Sequence, residues 1–285
     1  MSNFNPFFEV IRQPLFAEHN GVKLDSGREA LINTETNDVI GVVSPSYKVV
    51  ENQELSVLVQ EALGNLPVLK VNDHLNPNTS KWVREIILDG DEFTYKIGKK
   101  VDTIKTKINI INGYGSNTAA TVSVSAWRQI CSNGMMGFKD IFKSSYAHMS
   151  DNIVPKIRQD FNLNLAKFGE NTNIWNNWSE VDFSQDDFMS FIEDITKTED
   201  NKKGILSEKQ GELVKSLYEP TLNKYNDDET LWGAFNVLTA ITSHDIKARK
   251  GSHLFSQGYG RMRKVIETFY DKFNRVNINK NLSLI

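Results

Sequence analysis

The stretch TIKTKINIINGYGSNTAATVSVSAWRQICSNGM, residues 103–135, decides the fold class. Its first half alternates with a period of two. Ile104, Thr106, Ile108 and Ile110 share one side; Lys105, Lys107 and Asn109 share the other. Successive strand side chains point to opposite faces, so this is the pattern of a half-buried β-strand. After a cluster of turn residues the alternation resumes. Ala120, Val122, Val124, Ala126, Arg128 and Ile130 lie on one face, opposed by Thr121, Ser123, Ser125, Trp127 and Gln129. Two such strands around a turn predict an antiparallel sheet with one apolar and one polar, solvent-facing side. Arg128 sits where an apolar residue is due. A buried guanidinium needs an acid, a carbonyl cluster or a ligand phosphate.

The same reading extends outward. Upstream, Val22 and Leu24, then ALIN, VIGVV and YKVV, are short β-branched runs bounded by turn formers. Asn52 is placed to cap a helix whose apolar stripe is Leu55, Leu58, Val59 and Ala62, stopped by Gly64. KWVREIIL and EFTYKIG predict a hairpin around Asp89-Gly90-Asp91. Downstream of about residue 150 the period becomes helical. Ile153, Ile157, Phe161, Leu165 and Phe168 form one stripe. Phe188, Phe191, Ile192 and Ile195 form the next, opened by the capping-box pair Ser184 and Asp187. Leu213, Val214 and Leu217 follow; then Leu231, Trp232, Phe235, Leu238 and Ile241; then Met262, Val265, Ile266, Phe269 and Phe273. The expected class is α+β: an N-terminal and central antiparallel β-sheet followed by a mostly helical C-terminal half. The regions are 1–150, α+β, and 151–285, helical, packed on or beside the sheet or continuous with it. The linker candidate is TKTEDNKKG, 196–204.

Composition narrows the function classes. With 39% hydrophobic and 24% charged residues, the chain is an ordinary folded protein. No run approaches the roughly 18 apolar residues of a membrane span, so no membrane partner is expected. The N-terminus MSNFNPFFEV has neither basic flank nor apolar core, and the single cysteine excludes an internal disulfide; a cytoplasmic location, in a bacterial host cell, is expected. Net charge is only −3, but it is segregated. Residues 95–143 carry eight Lys/Arg against two Asp/Glu, residues 170–230 six against fifteen, and residues 245–280 nine against three. Basic segments sharing a face would attract a polyanion; an acidic middle that merely neutralises them would not.

Several chemistries lack their signatures. GxxxxGK[ST], HExxH, CxxC and G-x-S-x-G are all missing. The acids of ILDGDEFTYK suit a turn better than a metal site, and Cys131 with His148 lacks a neighbouring oxyanion hole. No catalytic residue, metal or cofactor is assigned. A distributed enzyme site would have to gather Arg128, Asn133, His148 and His244 from distant parts of the chain.

VSPSYKVVENQE, residues 43–54, resembles the opening segment, "gvVs..Y.vv.n.e", of the phage/plasmid-like family called domain of unknown function 932. The strand–turn–strand followed by R-x-x-C-x-N resembles its central segment through Asn112, Gly115, Arg128, Cys131 and Asn133. AHMS supplies a following histidine, His148, within a loosely matching segment. FNVLTAITSH resembles its late N-x-x-T helix through Asn236, Thr239 and His244. The resemblance implies an α+β fold and a phage, plasmid or prophage setting, without a settled activity.

From charge and that setting, the leading expectation is a DNA-metabolism accessory protein that binds single-stranded nucleic acid and assists strand annealing or recombination. Lys105, Lys107 and Trp127 would hold the strand on the polar sheet face. Lys96, Lys99, Lys100, Arg128, Arg249, Lys250, Arg261, Arg263 and Lys264 would add cations. Assembly into a homo-oligomer is compatible with it. The rival is a non-enzymatic, host-protein-binding or anti-defence module that uses the acidic helical half.

Overall fold

The structure, a computed structural model, describes residues 5–76, 80–100, 102–115, 118–128, 133–135, 143–149, 153–197, 204–242 and 257–274. Three strands, β1 (Val10–His19), β2 (Val22–Asn33) and β3 (Val39–Val43), form an antiparallel sheet in that order. Helix α1 (Asn52–Leu63) leads to a second sheet of β4 (Val68–Asn76), β5 (Lys81–Leu88), β6 (Thr94–Ile97), β7 (Asp102–Asn112), β8 (Ala120–Arg128), β9 (Asn133–Met135) and β10 (Lys143–Tyr146). Its order is β10-β8-β7-β5-β4, with β6 on β7 and β9 on β8. Helices α2 (Ile153–Trp178), α3 (Gln185–Thr196), α4 (Glu208–Lys224), α5 (Leu231–Ala240) and α6 (Gln257–Phe273) follow. The class is α+β, with the helices gathered mostly in the C-terminal half.

Two compact units divide the chain: Met1–Leu88 with Ile108–Val124 and Phe142–Leu165, and Asp89–Lys107 with Ser125–Ile141 and Ala166–Ile285. The first contains a core of Phe8, Leu31, Val43, Tyr47 and Tyr114, with Val10, Ile40, Val49 and Leu75 packed against it. The second is centred on aromatic rings. Trp178 meets Phe235, Phe269 and Tyr270 edge-on, and Phe183 and Phe191 pack on Phe269 and Phe273. Offset and edge-to-face ring pairs add to the burial of large apolar area.

The helical stripes are buried as their spacing predicts. Ile157, Phe161 and Phe168, the α3 stripe, the α5 stripe and all five named α6 residues are buried; the side chains of Ile153 and Leu165 lie outside the described residues. Ser184 and Asp187 form the expected capping box. In α4 the stripe is rotated: Leu213 is 49% exposed, and Val214, Tyr218 and Leu222 face inward. Of the linker candidate, 198–203 lies outside the described residues.

Four local expectations change. β1 exists although its sequence lacks a clean alternation, because β2 supplies its ladder along the full length. YKVV is not a strand, since Tyr47 through Val50 spend their polar groups on the contacts described below. β5 and β6 do not pair with each other. A 3₁₀ turn at Asp91–Phe93 sends β6 to β7, and β5 lies between β4 and β7. α1 begins at Asn52 with Glu51 as N-cap and no side-chain cap, because the Asn52 amide is engaged elsewhere; Gly64 ends the helix as expected, at φ 57°.

The largest correction concerns the sheet's second face. Lys107 is 2% exposed, Asn109 3%, Thr121 4% and Ser125 6%. The polar side of β7 and β8 is covered, so burial runs almost without interruption along both strands. Period-two alternation reports which residues share a face, not whether that face is wet.

Gly41 makes the tightest backbone approach in the first unit: a Cβ there would stand 2.5 Å from the Tyr114 carbonyl oxygen. Gly41→Ala should therefore lower stability by about 1–3 kcal/mol, the usual cost of overpacking, read as a fall in the urea midpoint with unchanged m.

Candidate functional site

Two polar clusters are built from the residues that the sequence singles out, one in each unit. In the second unit, Arg128 ends β8 and is 2% exposed. Its Nε donates to Asp102 Oδ2 at 2.6 Å, and its two terminal nitrogens donate to Asp227 at 2.9 and 2.5 Å. Asp102 opens β7, and Asp227 lies between α4 and α5. Trp232 Nε1, on α5, also donates to Asp102 Oδ2, at 3.1 Å. The fork of Arg128 thus takes one carboxylate side-on and a second through both ends, geometry that only a planar guanidinium offers. Burial raises the pKa of both carboxyls, against the pull of Arg128. Asp102 Oδ1 has no partner among the described residues.

This cluster floors a cavity of about 600 Å³. Glu180, Asp182, Asp228 and Glu229 line its rim beside Lys99, Lys100 and Lys224. Lys99 pairs with Glu180 at 3.1 Å and Lys100 with Asp228 at 2.7 Å. Counting floor and rim, six carboxylates face four cations. By formal charge the lining is therefore acidic on balance.

In the first unit, the Asn112 amide donates to the Val50 carbonyl at 2.7 Å and to Asn52 Oδ1 at 2.9 Å; the Asn52 amide donates to the Pro6 carbonyl at 2.7 Å. The Asn52 N–H donates to the Tyr114 hydroxyl at 3.2 Å. The Tyr47 hydroxyl donates to the Gly113 carbonyl and accepts from the Gly115 N–H. Burial pushes the Tyr47 hydroxyl pKa up to about 12, with the Gly115 N–H pulling the other way. His148 stacks on Tyr47 with ring centres 4.8 Å apart. Its Nδ1 lies 3.0 Å from the Lys48 carbonyl. A carbonyl can only accept, so Nδ1 carries the proton and Nε2 presents a lone pair, buried and without a partner among the described residues. A second proton would charge a buried ring, and burial accordingly lowers the His148 pKa below its ordinary 6.5.

The remaining predicted residues scatter. Lys105 bonds Asp89, and Trp127 is half-buried. With Lys107 buried as well, these three do not make an open strand-binding face. Lys96, Lys99 and Lys264 are exposed. Arg261 reaches Gln210 at 3.0 Å, and Arg263 pairs with Glu267 at 2.9 Å on its own helix. Arg128 is fully engaged by carboxylates, the structural alternative of its two readings. Asn133 pairs with Arg128 through the backbone. Asn236 and Thr239 are buried in α5, with the Thr239 hydroxyl on the Asn236 carbonyl. Cys131, His244, Arg249 and Lys250 lie outside the described residues. Among the described residues no group of three or more metal-binding side chains converges, and no helix is long and apolar enough to cross a membrane. Sequence reasoning missed Asp102, Asp227 and Trp232; the demand of Arg128 for acids was visible, but not which acids, since Asp227 lies 99 residues away.

Both clusters coincide with segments of one family. The model of the family described as domain of unknown function (DUF932) matches residues 39–266, and the chain belongs to that family. No curated protein and no solved structure matches it.

Two expectations follow. Arg128→Met leaves two adjacent buried carboxylates unpaired and should cost about 3–5 kcal/mol at neutral pH. Such carboxyls have folded pKa values above their unfolded ones, so the folded state binds protons more tightly. The deficit should shrink as pH falls into the carboxylate range, in denaturant titrations at several pH values. The folded pKa of His148 is lowered instead, so its contribution is complete above 6.5. Stability should fall as pH drops from 6.5 toward the folded pKa, and His148→Gln should remove that slope.

Proposed function

We propose that the chain is a protein-binding module whose acidic helical unit docks a basic protein surface. The electronegative cavity beside Arg128 carries this reading: its rim holds four exposed or partly exposed carboxylate positions, Glu180, Asp182, Asp228 and Glu229, above a floor already saturated with acid. The balance of residues 170–230, six Lys/Arg against fifteen Asp/Glu, extends the same sign beyond the cavity. Complementary potentials govern encounter and selectivity more than raw affinity, so the partner would present clustered Lys or Arg. In a phage or plasmid setting, a host protein with a nucleic-acid-binding face meets that description, the acids standing where phosphates otherwise would.

A second reading, binding of single-stranded nucleic acid in annealing or recombination, draws support from Lys96, Lys99 and Lys264. Lys99 has an 84% exposed side chain. It rests on surface cations and not on the covered sheet face.

Fluorescence anisotropy with an oligoarginine peptide and with a single-stranded oligonucleotide separates the two. The peptide should bind at low salt and weaken as salt rises, and D228K/E229K should reduce its affinity about 10-fold or more, as expected for losing one well-placed charge contact or two. Oligonucleotide binding with a steep salt slope, and no peptide binding, would reverse the order of the readings. Binding of neither removes both.

A further inference from the structure

The acidic rim of the second unit already holds cations, and the chain supplies them. Lys99 and Lys100 are consecutive residues of the turn between β6 and β7, and each takes one carboxylate of the rim. Lys99 Nζ stands 3.1 Å from Glu180, just beyond the end of α2; Lys100 Nζ stands 2.7 Å from Asp228, in the link from α4 to α5. Lys100 also donates to the Asn226 carbonyl at 2.9 Å. Two neighbouring side chains thus reach two walls of one cavity, built by different segments. The turn does not depend on them for its shape. Ile97 pairs with Asp102 across its base, and the Gly98 N–H donates to Asn176 Oδ1 at 3.2 Å. Gly98 adopts φ 67° and lies so close to the end of α2 that a Cβ would stand 2.9 Å from Ser179 Cβ. The backbone is pinned; the ammonium groups are not. The Lys99 side chain is 84% exposed and that of Lys100 45%, and exposed ion pairs are weak enough to break and re-form readily.

We propose that Lys99 and Lys100 are an internal stand-in for the basic partner: they occupy Glu180 and Asp228 in the free chain and yield them to the partner's arginines on docking. The proposal rests on the acidic-cavity reading and adds to it a competitor carried by one turn. Lysine meets a carboxylate as a point charge on a flexible stem, whereas a guanidinium takes both oxygens through its planar fork, so the exchange favours arginine. Arg128 makes that contact with Asp227 on the floor of the same cavity, at 2.9 and 2.5 Å. Asp182 and Glu229 lie outside the two lysine pairs and are exposed, so first contact can precede displacement. An isolated cation gains little by evicting a tethered one, which returns at high effective concentration. A cluster of arginines replaces both lysines at once. The turn therefore sets a threshold that scattered surface lysines do not pass, selectivity by competition as well as by attraction. The apparent dissociation constant is the intrinsic one divided by the fraction of chains whose rim is released, so a weak latch lowers affinity a few-fold.

Amine labelling of the full chain with an N-hydroxysuccinimide ester, read at each lysine by mass spectrometry, tests the exchange. The probe is an N-acetylated oligoarginine peptide, which has no amine of its own. A lysine released from a carboxylate loses its proton more readily, so the Lys100 labelling rate should rise about 3-fold or more as the peptide saturates the chain. In fluorescence anisotropy, Lys100→Gln should bind the peptide about 3-fold more tightly than wild type. Lys100→Arg, which keeps the charge and grips Asp228 through a fork, should bind it no more tightly than wild type. Peptide binding that leaves Lys100 labelling unchanged or lowers it overturns the exchange and leaves the acidic-cavity reading standing. So does a Lys100→Gln chain that binds no more tightly than wild type, or a Lys100→Arg chain that binds more tightly. Peptide bound by Lys100→Gln alone supports the exchange, with the latch closed in the wild-type chain. Peptide bound by neither chain overturns both the exchange and the reading beneath it.

Discussion

A guanidinium with 2% exposure sets the terms for the second unit. Arg128 cannot shed its charge, and leaving it unpaired in that surrounding would cost more than most single contacts return. It is held by Asp102 from the start of β7 and by Asp227 from the turn before α5. The turn is thereby fixed against the sheet end, and Trp232, the second residue of α5, is fixed by the same Asp102 oxygen. Two carboxylates around one cation leave a local excess of negative charge. Burial, and not the ion pair, decides the direction in which both carboxyl pKa values move. The excess of negative charge gives the cavity above its sign.

The first unit is tied by neutral hydrogen bonds instead. The segment around Gly41, Tyr47, Val50 and Asn52 and the turn from Asn112 to Gly115 satisfy one another through close approach and reciprocal donors and acceptors. These are the two earliest pieces of the family's pattern, about 60 residues apart in the chain. The later pieces, Arg128 and the helix bearing Asn236 and Thr239, belong to the second unit. The segments that define the family are thus internal ties. Some buried polar atoms in the same segments, Asn112 Oδ1, His148 Nε2 and the Asn236 amide, have no hydrogen-bond partner among the described residues.

Much of this was legible one residue at a time. Helices α3, α5 and α6 declare their buried stripes, Ser184 and Asp187 declare a start, and the alternation at 104–110 and 120–128 declares two strands. What period-two alternation does not encode is the cover over each face. Lys107 and Asn109 look wet in the sequence and are buried in the fold, because alternation assigns a side chain to a face without saying what covers that face. Pairing partners are equally hidden. β6 leaves β5 for β7 through a three-residue turn, a choice made by sheet topology and not by the strand's own residues. Arg128 announced its need for acid, but long-range pairing with Asp227 is a property of the folded chain.

The exposed chemistry is also divided between the units. Among the described residues, every exposed large apolar side chain except Leu213 belongs to the first unit, whereas the acidic cavity belongs entirely to the second. The two surfaces respond to different variables. Contacts between exposed charges weaken as the screening length shrinks, from about 10 Å at 0.1 M salt to about 3 Å at 1 M. Apolar contacts do not weaken with screening, and salts excluded from the protein surface strengthen them. An association through these apolar side chains would therefore persist at salt concentrations that release one made through the carboxylates.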